Sequence, residues 1–412
     1  MVRVSFRTLG CRMNKFDTDL IRNLFRQAGY SVVDFEETAD VYIINTCTVT
    51  VGGDRSSRQA IYKAKRKNPK ALVVATGCYA QVRPEELARL KEVDLVVGNT
   101  HKKEILKIVE EFIEKREKKV FVGEIFRQRE MENFGTVLYF ENSRPFLKIQ
   151  EGCNKFCSFC IIPFARGKVR SVDPERVFEQ VSLLAEQGYK EIVLTGTQLS
   201  QYGWDKKTSL AELLKKLLTV KKIEIFRLSS LHVAEISKEL LELITSESRI
   251  APHFHLSLQS GSDRILSLMG RGYNLKKFKE IVEYILLKRE ESAIGTDIIV
   301  GFPSESERDF KETVKAVEEI PFAYLHIFPY SDRPNTLASR IKKKIPERIK
   351  KERVAILRDL DFKKRKEFYG KNKGKKLRAV VLSENRVLTE NYLELEIKTK
   401  AKPAEVVVVR VP

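Results

Sequence analysis

The chain has 412 residues, enough for two or three domains of ordinary size. Hydrophobic residues make up 42% and charged residues 32%, a balance that buries a core and excludes global disorder. The longest apolar runs, such as VYIIN and ALVVATG, are far too short to cross a membrane, so no membrane role is expected. Lysine and arginine total 76 against 56 aspartate and glutamate, a formal charge of +20. Between Ile341 and Arg378 there are 17 basic and 5 acidic residues, which places +12 of that surplus in one segment and points to a polyanionic partner such as nucleic acid. The opening MVRVSFRTLGCRMN shows no secretory signal, so a cytoplasmic location without disulfides is expected.

In chain order, the first 100 residues alternate β-branched runs with amphipathic helices. VSFRTLG, VYIIN, ALVVATG and DLVVGN are predicted strands, and helices are predicted from about Asp17 to Ala28, Ser56 to Lys67 and Pro84 to Leu90. That βαβ pattern implies a parallel sheet in an α/β domain over residues 1–120. A charged helix follows from Lys102 to Glu117, and a linker is placed at 121–138. From Pro145 the alternation restarts, with strands at PFLKIQ, EIVLTG, EIFRLSS, FHLSLQSG, GTDIIVGFP and YLHIFPYS. Helices are expected between them near 174–187, 209–219, 235–245, 275–288 and 305–319. Six units are too few for a closed eight-stranded barrel, so residues 139–340 are predicted to form an open (β/α)6 barrel. A basic helical connector occupies 341–370, with its helix from Pro346 to Phe368. LRAVVLS, RVLTEN, LELEIKT and EVVVVRV then read as short strands of a small β-barrel over 371–412, of nucleic-acid-binding type. GTDIIVGFP lacks the G-x-x-x-x-G-K signature and is not a phosphate loop. His232, His253, His255 and His326 have strand spacing and are taken as structural.

The six cysteines fall into two triplets. Cys153, Cys157 and Cys160 form CNKFCSFC in one loop after PFLKIQ. Three thiolates so close can hold three irons of a cubane cluster and leave the fourth without a protein ligand. A zinc knuckle is the alternative, but tetrahedral zinc wants a fourth ligand, and no cysteine or histidine lies near in sequence. Cys11, Cys47 and Cys78 are far apart in the chain, yet each follows a predicted strand. The carboxyl ends of parallel strands share one edge, so these three thiols are expected to converge there on a second metal cluster. Buried unliganded cysteines are the plainer alternative.

CNKFCSFC, with an aromatic before its last cysteine, resembles the cluster motif of radical S-adenosylmethionine (SAM) enzymes. TLGCRMN, INTCTVT and TGCYAQ resemble the methylthiotransferases, which add an amino-terminal domain with a second [4Fe-4S] cluster and a carboxy-terminal TRAM module. The resemblance covers essentially the whole chain. NTCTVT with SRQAIYKA, the loop CIIPFARG, and FRLSS with HLSLQSGSD look like the bacterial MtaB-type branch. That branch converts N6-threonylcarbamoyladenosine at tRNA position 37 to its 2-methylthio derivative. Branches acting on isopentenyladenosine or on a ribosomal-protein aspartate share the cysteine pattern, but differ just after the second amino-terminal cysteine.

The resemblance implies two [4Fe-4S] clusters, on Cys153, Cys157 and Cys160 and on Cys11, Cys47 and Cys78. It also implies SAM as both radical source and methyl donor, and an electron donor of unknown identity. Removing a hydrogen from an unactivated aromatic carbon is beyond side-chain acids and bases, so a cofactor must do the chemistry while the protein positions and insulates it. At the carboxyl ends of the barrel strands, Phe159 and Phe328 are expected to flank the cofactor adenine. Gln198, Ser257 and Gln259 are expected to bind its ribose or methionine polar atoms, and Arg227 its carboxylate. Arg166 and Arg170, just past the cluster loop, are candidate contacts to RNA phosphate, with Lys363, Lys364, Arg365, Lys375 and Lys376 of the basic helix and terminal module. The anticodon stem-loop, whose target base can be unstacked, is the expected RNA element. A noncatalytic iron–sulfur RNA-binding protein is the alternative from another class.

Overall fold

Strands that are covered on both faces read as near-continuous apolar runs, as VYIINT and LVVATG do, each buried at every position. In the computed structural model, which describes residues 1–115, 119–131 and 143–412, β1 (Arg3–Thr8) is followed by α1 (Arg12–Gln27), β2 (Ser31–Val33) and β3 (Val41–Thr46). Then come α2 (Val51–Lys67), β4 (Leu72–Gly77), α3 (Cys78–Val82), α4 (Pro84–Ala88), β5 (Leu95–Val97), α5 (Ile105–Lys115) and β6 (Lys119–Phe121). Among the described residues these strands make one parallel sheet in the order β2-β1-β3-β4-β5-β6. Alternate side chains divide between its two faces. Val41, Ile43, Leu72 and Val74 pack on Ile21 and Phe25 of α1 and on Ile105, Ile108 and Phe112 of α5. Tyr42, Ile44, Val73 and Ala75 pack on Ala60, Ile61 and Ala64 of α2.

The next elements are β7 (Phe146–Glu151), α6 (Ile162–Arg166), β8 (Arg170–Ser171), α7 (Pro174–Glu186), β9 (Glu191–Gly196), α8 (Leu210–Leu217), β10 (Ile225–Leu228), α9 (Lys238–Ser246) and β11 (His253–His255). They are followed by α10 (Asp263–Met269), α11 (Leu275–Lys288), β12 (Ala293–Val300), α12 (Glu307–Glu319) and β13 (Tyr324–Pro329). The strands β7, β9 and β10 adjoin in that order, and β11, β12 and β13 form a parallel set. Bridges Phe226↔Ile250 and Leu231↔Leu256 join the two sets, giving six strands in sequence order, an open (β/α)6 barrel. The chain ends with α13 (Glu347–Asn372), β14 (Lys376–Ser383), β15 (Arg386–Thr389), β16 (Glu394–Glu396) and β17 (Val406–Arg410), the last four an antiparallel sheet ordered β16-β15-β14-β17. Residues group into two units: Met1–Glu141 with Gln150–Asn154 and Cys160–Ser171, and Asn142–Ile149 with Lys155–Phe159 and Val172–Pro412.

Three differences from expectation have physical causes. Helix α1 begins at Arg12, not near Asp17, because Cys11 takes the extended N-cap conformation and the polar run RMNK is itself helical, with Met13 and Phe16 buried. Strands β2 and β6 have only three residues each, too few to show a periodicity; β6 also brings the start of the expected linker into the sheet. The rest of that linker lies partly at 132–138, outside the described residues. Finally, α10 was not anticipated; it starts directly after the SGS turn that follows Gln259.

Gly77 closes β4 at φ +95, where an added Cβ would stand 2.4 Å from Asn45 Oδ1 and 2.6 Å from the Thr46 carbonyl oxygen. Gly77→Ala is expected to lower stability by about 2–4 kcal/mol, from left-handed backbone strain plus the clash, measured by urea denaturation of the full chain. A loss under about 1 kcal/mol would mean this turn tolerates a side chain.

Candidate functional site

In the first unit, three parallel strands bring three thiols to one sheet edge. Thr46 and Gly77 are register partners at the ends of β3 and β4, and Cys47 and Cys78 are the residues that follow them. Cys11 sits at the start of α1, three residues beyond the end of β1. Asn14, in the first turn of α1, donates to the Leu9 carbonyl at 2.7 Å and the Thr46 carbonyl at 3.0 Å, tying the ends of β1 and β3 together. Asn45 answers by donating to the Asn14 carbonyl at 2.9 Å. The Cys47 N–H donates to Ser57 Oγ at 3.2 Å. A Cβ on Gly10 would lie 2.8 Å from the Cys47 sulfur, so only glycine lets the chain pass there.

Burial first, and then the neighbouring Cys78 and Cys11, push the Cys47 thiol up to about 12. These sulfurs therefore sense one another electrostatically. Three converging thiols, Cys47 and Cys78 buried and Cys11 exposed, are the donor set a cationic iron–sulfur cluster satisfies. None of the six cysteines forms a disulfide.

Next to the Cys11 and Cys78 sulfurs lies the guanidinium of Arg166, at the end of α6, 1% exposed. Its Nη2 donates to Asn14 Oδ1 at 2.6 Å and to Asp17 Oδ2 at 3.2 Å, and its Nη1 pairs with Glu151. Asp17 is also paired to Lys102 at 2.6 Å, and Glu151 to Arg170 at 3.4 Å, so this buried charge cluster is multiply balanced. Asn99 donates to the Ala165 carbonyl at 2.7 Å and lies 4.0 Å from the Cys78 sulfur. In the loop itself, the Cys153 N–H donates to the Gly167 carbonyl at 3.0 Å.

In the second unit, Cys157 Sγ accepts from Arg271 Nη1 at 3.3 Å. The same guanidinium donates to the Ser257 carbonyl at 2.7 Å and contacts Tyr273, so its direction is fixed. Ser158 donates through its backbone to Met269 at 3.0 Å and through Oγ to Leu268 at 2.7 Å, pinning the loop to the end of α10. Nearby, His232 is buried with no hydrogen-bond partner among the described residues on either ring nitrogen, and Glu235 Oε2 is likewise buried without one among them. Burial, then the charges of Arg271 and Lys155, depress the His232 pKa to about 2, so its ring is neutral. Buried polar atoms without partners carry a desolvation cost that a polar ligand relieves. The surroundings of Cys157 therefore fit SAM beside an iron–sulfur cluster.

Several predicted roles need correction. Arg227 is wholly buried: it makes a two-pronged pair with Glu191 at 2.8 and 3.3 Å and donates to the Glu390 and Thr389 carbonyls, fastening the terminal sheet rather than reaching a cofactor carboxylate. Burial would raise the Glu191 pKa, but Arg227 and Arg144 hold it below the usual range. Arg166 and Arg170 are buried and ion-paired, which removes them from RNA contact. Lys364 is buried and donates to the Glu318 carbonyl at 2.7 Å. Lys363, Lys375 and Lys376 are exposed, while Arg365 is exposed but paired with Asp361 at 2.8 Å.

Of the other predicted cofactor residues, Phe159 packs against Ile265, Met269, Ile299 and Phe302. Gln198 precedes a short helical turn at the end of β9. Ser257 and Gln259 meet Asp297 of β12, Ser257 through Oγ at 3.4 Å and Gln259 through its backbone N–H at 2.8 Å. Phe328 of β13 is 39% exposed. Sequence reasoning missed Arg271, Asn14 and Asp17. The only signal for the last two was their place three and six residues past Cys11, on one face of a helix.

Arg166→Ala leaves Asp17 and Glu151 short of one partner in a buried cluster. Stability is expected to fall by about 3–5 kcal/mol, nearer the lower figure because Lys102 and Arg170 remain, read from denaturant unfolding of the cluster-free protein. A change below about 1 kcal/mol would show that Arg166 does not hold this cluster together.

Comparison with known proteins agrees with this geometry. Residues 3–98 match the family described as Uncharacterized protein family UPF0004, and residues 147–317 the Radical SAM superfamily. The chain is 69% identical over 395 residues to the threonylcarbamoyladenosine tRNA methylthiotransferase MtaB of Aquifex aeolicus (strain VF5), covering 96% of each. It is 40% identical over 409 residues to the protein of the same name from Bacillus subtilis (strain 168), covering 97% of this chain and 91% of that one. Among solved structures, the radical SAM methyltransferase TsrM from Kitasatospora setae superposes with a TM-score of 0.59 at 14% identity over 82% of this chain and 77% of that one, a likeness of fold. The chain belongs to the radical SAM methylthiotransferases, in their MtaB-type branch.

Proposed function

We propose that this protein is a transferase that replaces the C2 hydrogen of N6-threonylcarbamoyladenosine, at position 37 of tRNA, with a methylthio group. The observation that carries the proposal is the pairing of two thiol triplets of different kinds, one spread over strand ends and one packed in a loop, in a chain 69% identical to a threonylcarbamoyladenosine tRNA methylthiotransferase. When bound, two [4Fe-4S] clusters and SAM supply the radical hydrogen abstraction and the sulfur and methyl groups, with electrons from an external donor.

The chain's own residues have narrower tasks. Cys11, Cys47 and Cys78 hold one cluster, and Cys153, Cys157 and Cys160 the other. Arg271 sets a permanent positive charge 3.3 Å from the Cys157 sulfur, orienting that ligand and offsetting the charge of a metal-bound thiolate. Arg166 does the same for the side of Cys11 and Cys78 while anchoring α1. His232 and Glu235 line the cofactor side, the histidine offering hydrogen bonds without a second positive charge. Exposed Lys363, Lys375 and Lys376 grip the phosphates of the anticodon stem-loop, a contact that gives affinity but no sequence information. Action on tRNA places the protein in the cytoplasm; among the described residues, no helix is long and apolar enough to cross a membrane.

The roles of the two triplets separate experimentally. Cys157→Ala is expected to abolish both 5′-deoxyadenosine release and methylthiolated nucleoside, assayed by mass spectrometry on reconstituted enzyme with tRNA carrying the modified adenosine. Cys47→Ala is expected to retain 5′-deoxyadenosine release while losing the methylthiolated product. Product formation by either variant would refute the assignment.

A further inference from the structure

The three strands β11, β12 and β13 place a second polar array outside the cysteine ligands. Asp297 Oδ2 lies 3.0 Å from His255 Nε2, and its Oδ1 lies 3.2 Å from His326 Nδ1. His255 Nδ1 is 3.0 Å from the Tyr324 hydroxyl, which is 2.8 Å from His253 Nε2. The tautomers follow from the network. Asp297 is held strongly ionised: burial would raise its pKa, but His255 and His326 lower it further than burial raises it. A carboxylate only accepts, so the nitrogens facing it, His255 Nε2 and His326 Nδ1, carry the protons. His255 Nδ1 then accepts the Tyr324 O–H, and the Tyr324 oxygen accepts from His253 Nε2–H.

Three hydrogen bonds thus run from His253 through Tyr324 and His255 to Asp297, and a fourth reaches the same carboxylate from His326, the exposed ring of the set. His255 is 6% exposed and Asp297 22%, whereas His326 is 51% exposed. The other ring nitrogen, His326 Nε2, lies on the far side of the ring from Asp297 and accepts a hydrogen bond when the ring is neutral. Beside it on the same face of β13 is Phe328, its ring centroid 6.5 Å away and 39% exposed, a surface on which a base can stack. The array is also tied to the reacting side. Ser257 donates to Asp297 Oδ2 at 3.4 Å and accepts from Arg271 at 2.7 Å, and Arg271 holds the Cys157 sulfur.

We infer that His326, oriented by Asp297 and His255, accepts a hydrogen bond from the polar arm on N6 of the target adenosine, and so selects an arm bearing hydroxyl or N–H donors over an apolar arm or none. This rests on the function proposed above. A threonylcarbamoyl group carries both a hydroxyl and ureido N–H donors; a dimethylallyl group carries neither. The three side chains also form a set with ligand atoms within 4.8 Å of one another, which a divalent metal would suit. Both Asp297 oxygens, however, already accept from an imidazole, and a metal would have to displace both contacts.

The test is the ratio of dissociation constants of the cluster-loaded protein for two anticodon stem-loops, one with threonylcarbamoyladenosine and one with unmodified adenosine. The wild type is expected to favour the modified loop. His326→Ala is expected to cut that preference roughly 10-fold or more, and Asp297→Asn to weaken it as well. His326→Gln, whose Oε1 can stand near the position of Nε2, should keep more of the preference than His326→Ala. A His326→Ala protein with the wild-type ratio, or one that weakens both loops equally, would overturn the inference, as would one equivalent of zinc retained by the wild type and lost on His326→Ala. If the wild type shows no preference, the proposed substrate itself fails and the inference falls with it. A wild-type preference that His326→Ala retains defeats the inference alone.

Discussion

The structure depends above all on keeping concentrated charge inside the protein without leaving any of it uncompensated. At the edge of the parallel sheet, burial and then the neighbouring Cys78 and Cys11 make the Cys47 thiol hard to ionise, raising it to about 12. A buried cation at their side is one way to make such a site tolerable, and Arg166 is that cation. Burying a guanidinium is costly in turn, so Asp17 and Glu151 must be buried with it, and Lys102 and Arg170 with them. The result is a closed set of alternating charges. Asn14 links it to the strand ends through the carbonyls of Leu9 and Thr46, so the fold of the sheet and the state of the thiols are coupled.

The second unit solves the same problem with one residue. Arg271 is held by Ser257 and Tyr273 and donates through Nη1 to Cys157. Strands β11, β12 and β13 carry the His255, Asp297 and His326 array, where a single carboxylate accepts from two imidazoles instead of a guanidinium. The difference matters chemically: a cation next to a thiolate favours metal binding, whereas an oriented imidazole offers directional recognition.

Much of this was legible in the residues themselves, and the parts that were not have a common cause. Strands covered on both faces appear as uninterrupted apolar runs, so VYIINT ahead of Cys47 and ALVVATG ahead of Cys78 could be recognised and their shared edge deduced. The order of the barrel strands followed from the alternation of elements. What failed was every inference that needed to know a long-range partner. Arg166 looked like a phosphate contact because Asp17, which neutralises it, is 149 residues away. Arg227 looked like a ligand for a carboxylate, which it is, but the carboxylate is Glu191 and the further acceptors lie at the far end of the chain. The basic segment likewise spends Lys350, Arg353 and Lys364 internally, Arg353 on Glu305. Its surplus of charge indicated a nucleic-acid partner better than it indicated which lysines would face one. His255 and His326 passed as structural because they lie on different strands, β11 and β13, and only the register of both with β12 brings them to Asp297.

The claim on which the account stands is that each set of three cysteines holds its own four-iron centre. Iron and acid-labile sulfide counted on anaerobically reconstituted protein test it directly, in the wild type and in two variants with either Cys11, Cys47 and Cys78 or Cys153, Cys157 and Cys160 changed to alanine. About eight irons and eight sulfides are expected per chain, falling to about four of each in both variants. A wild-type content near four, or a variant that keeps all eight, would contradict it.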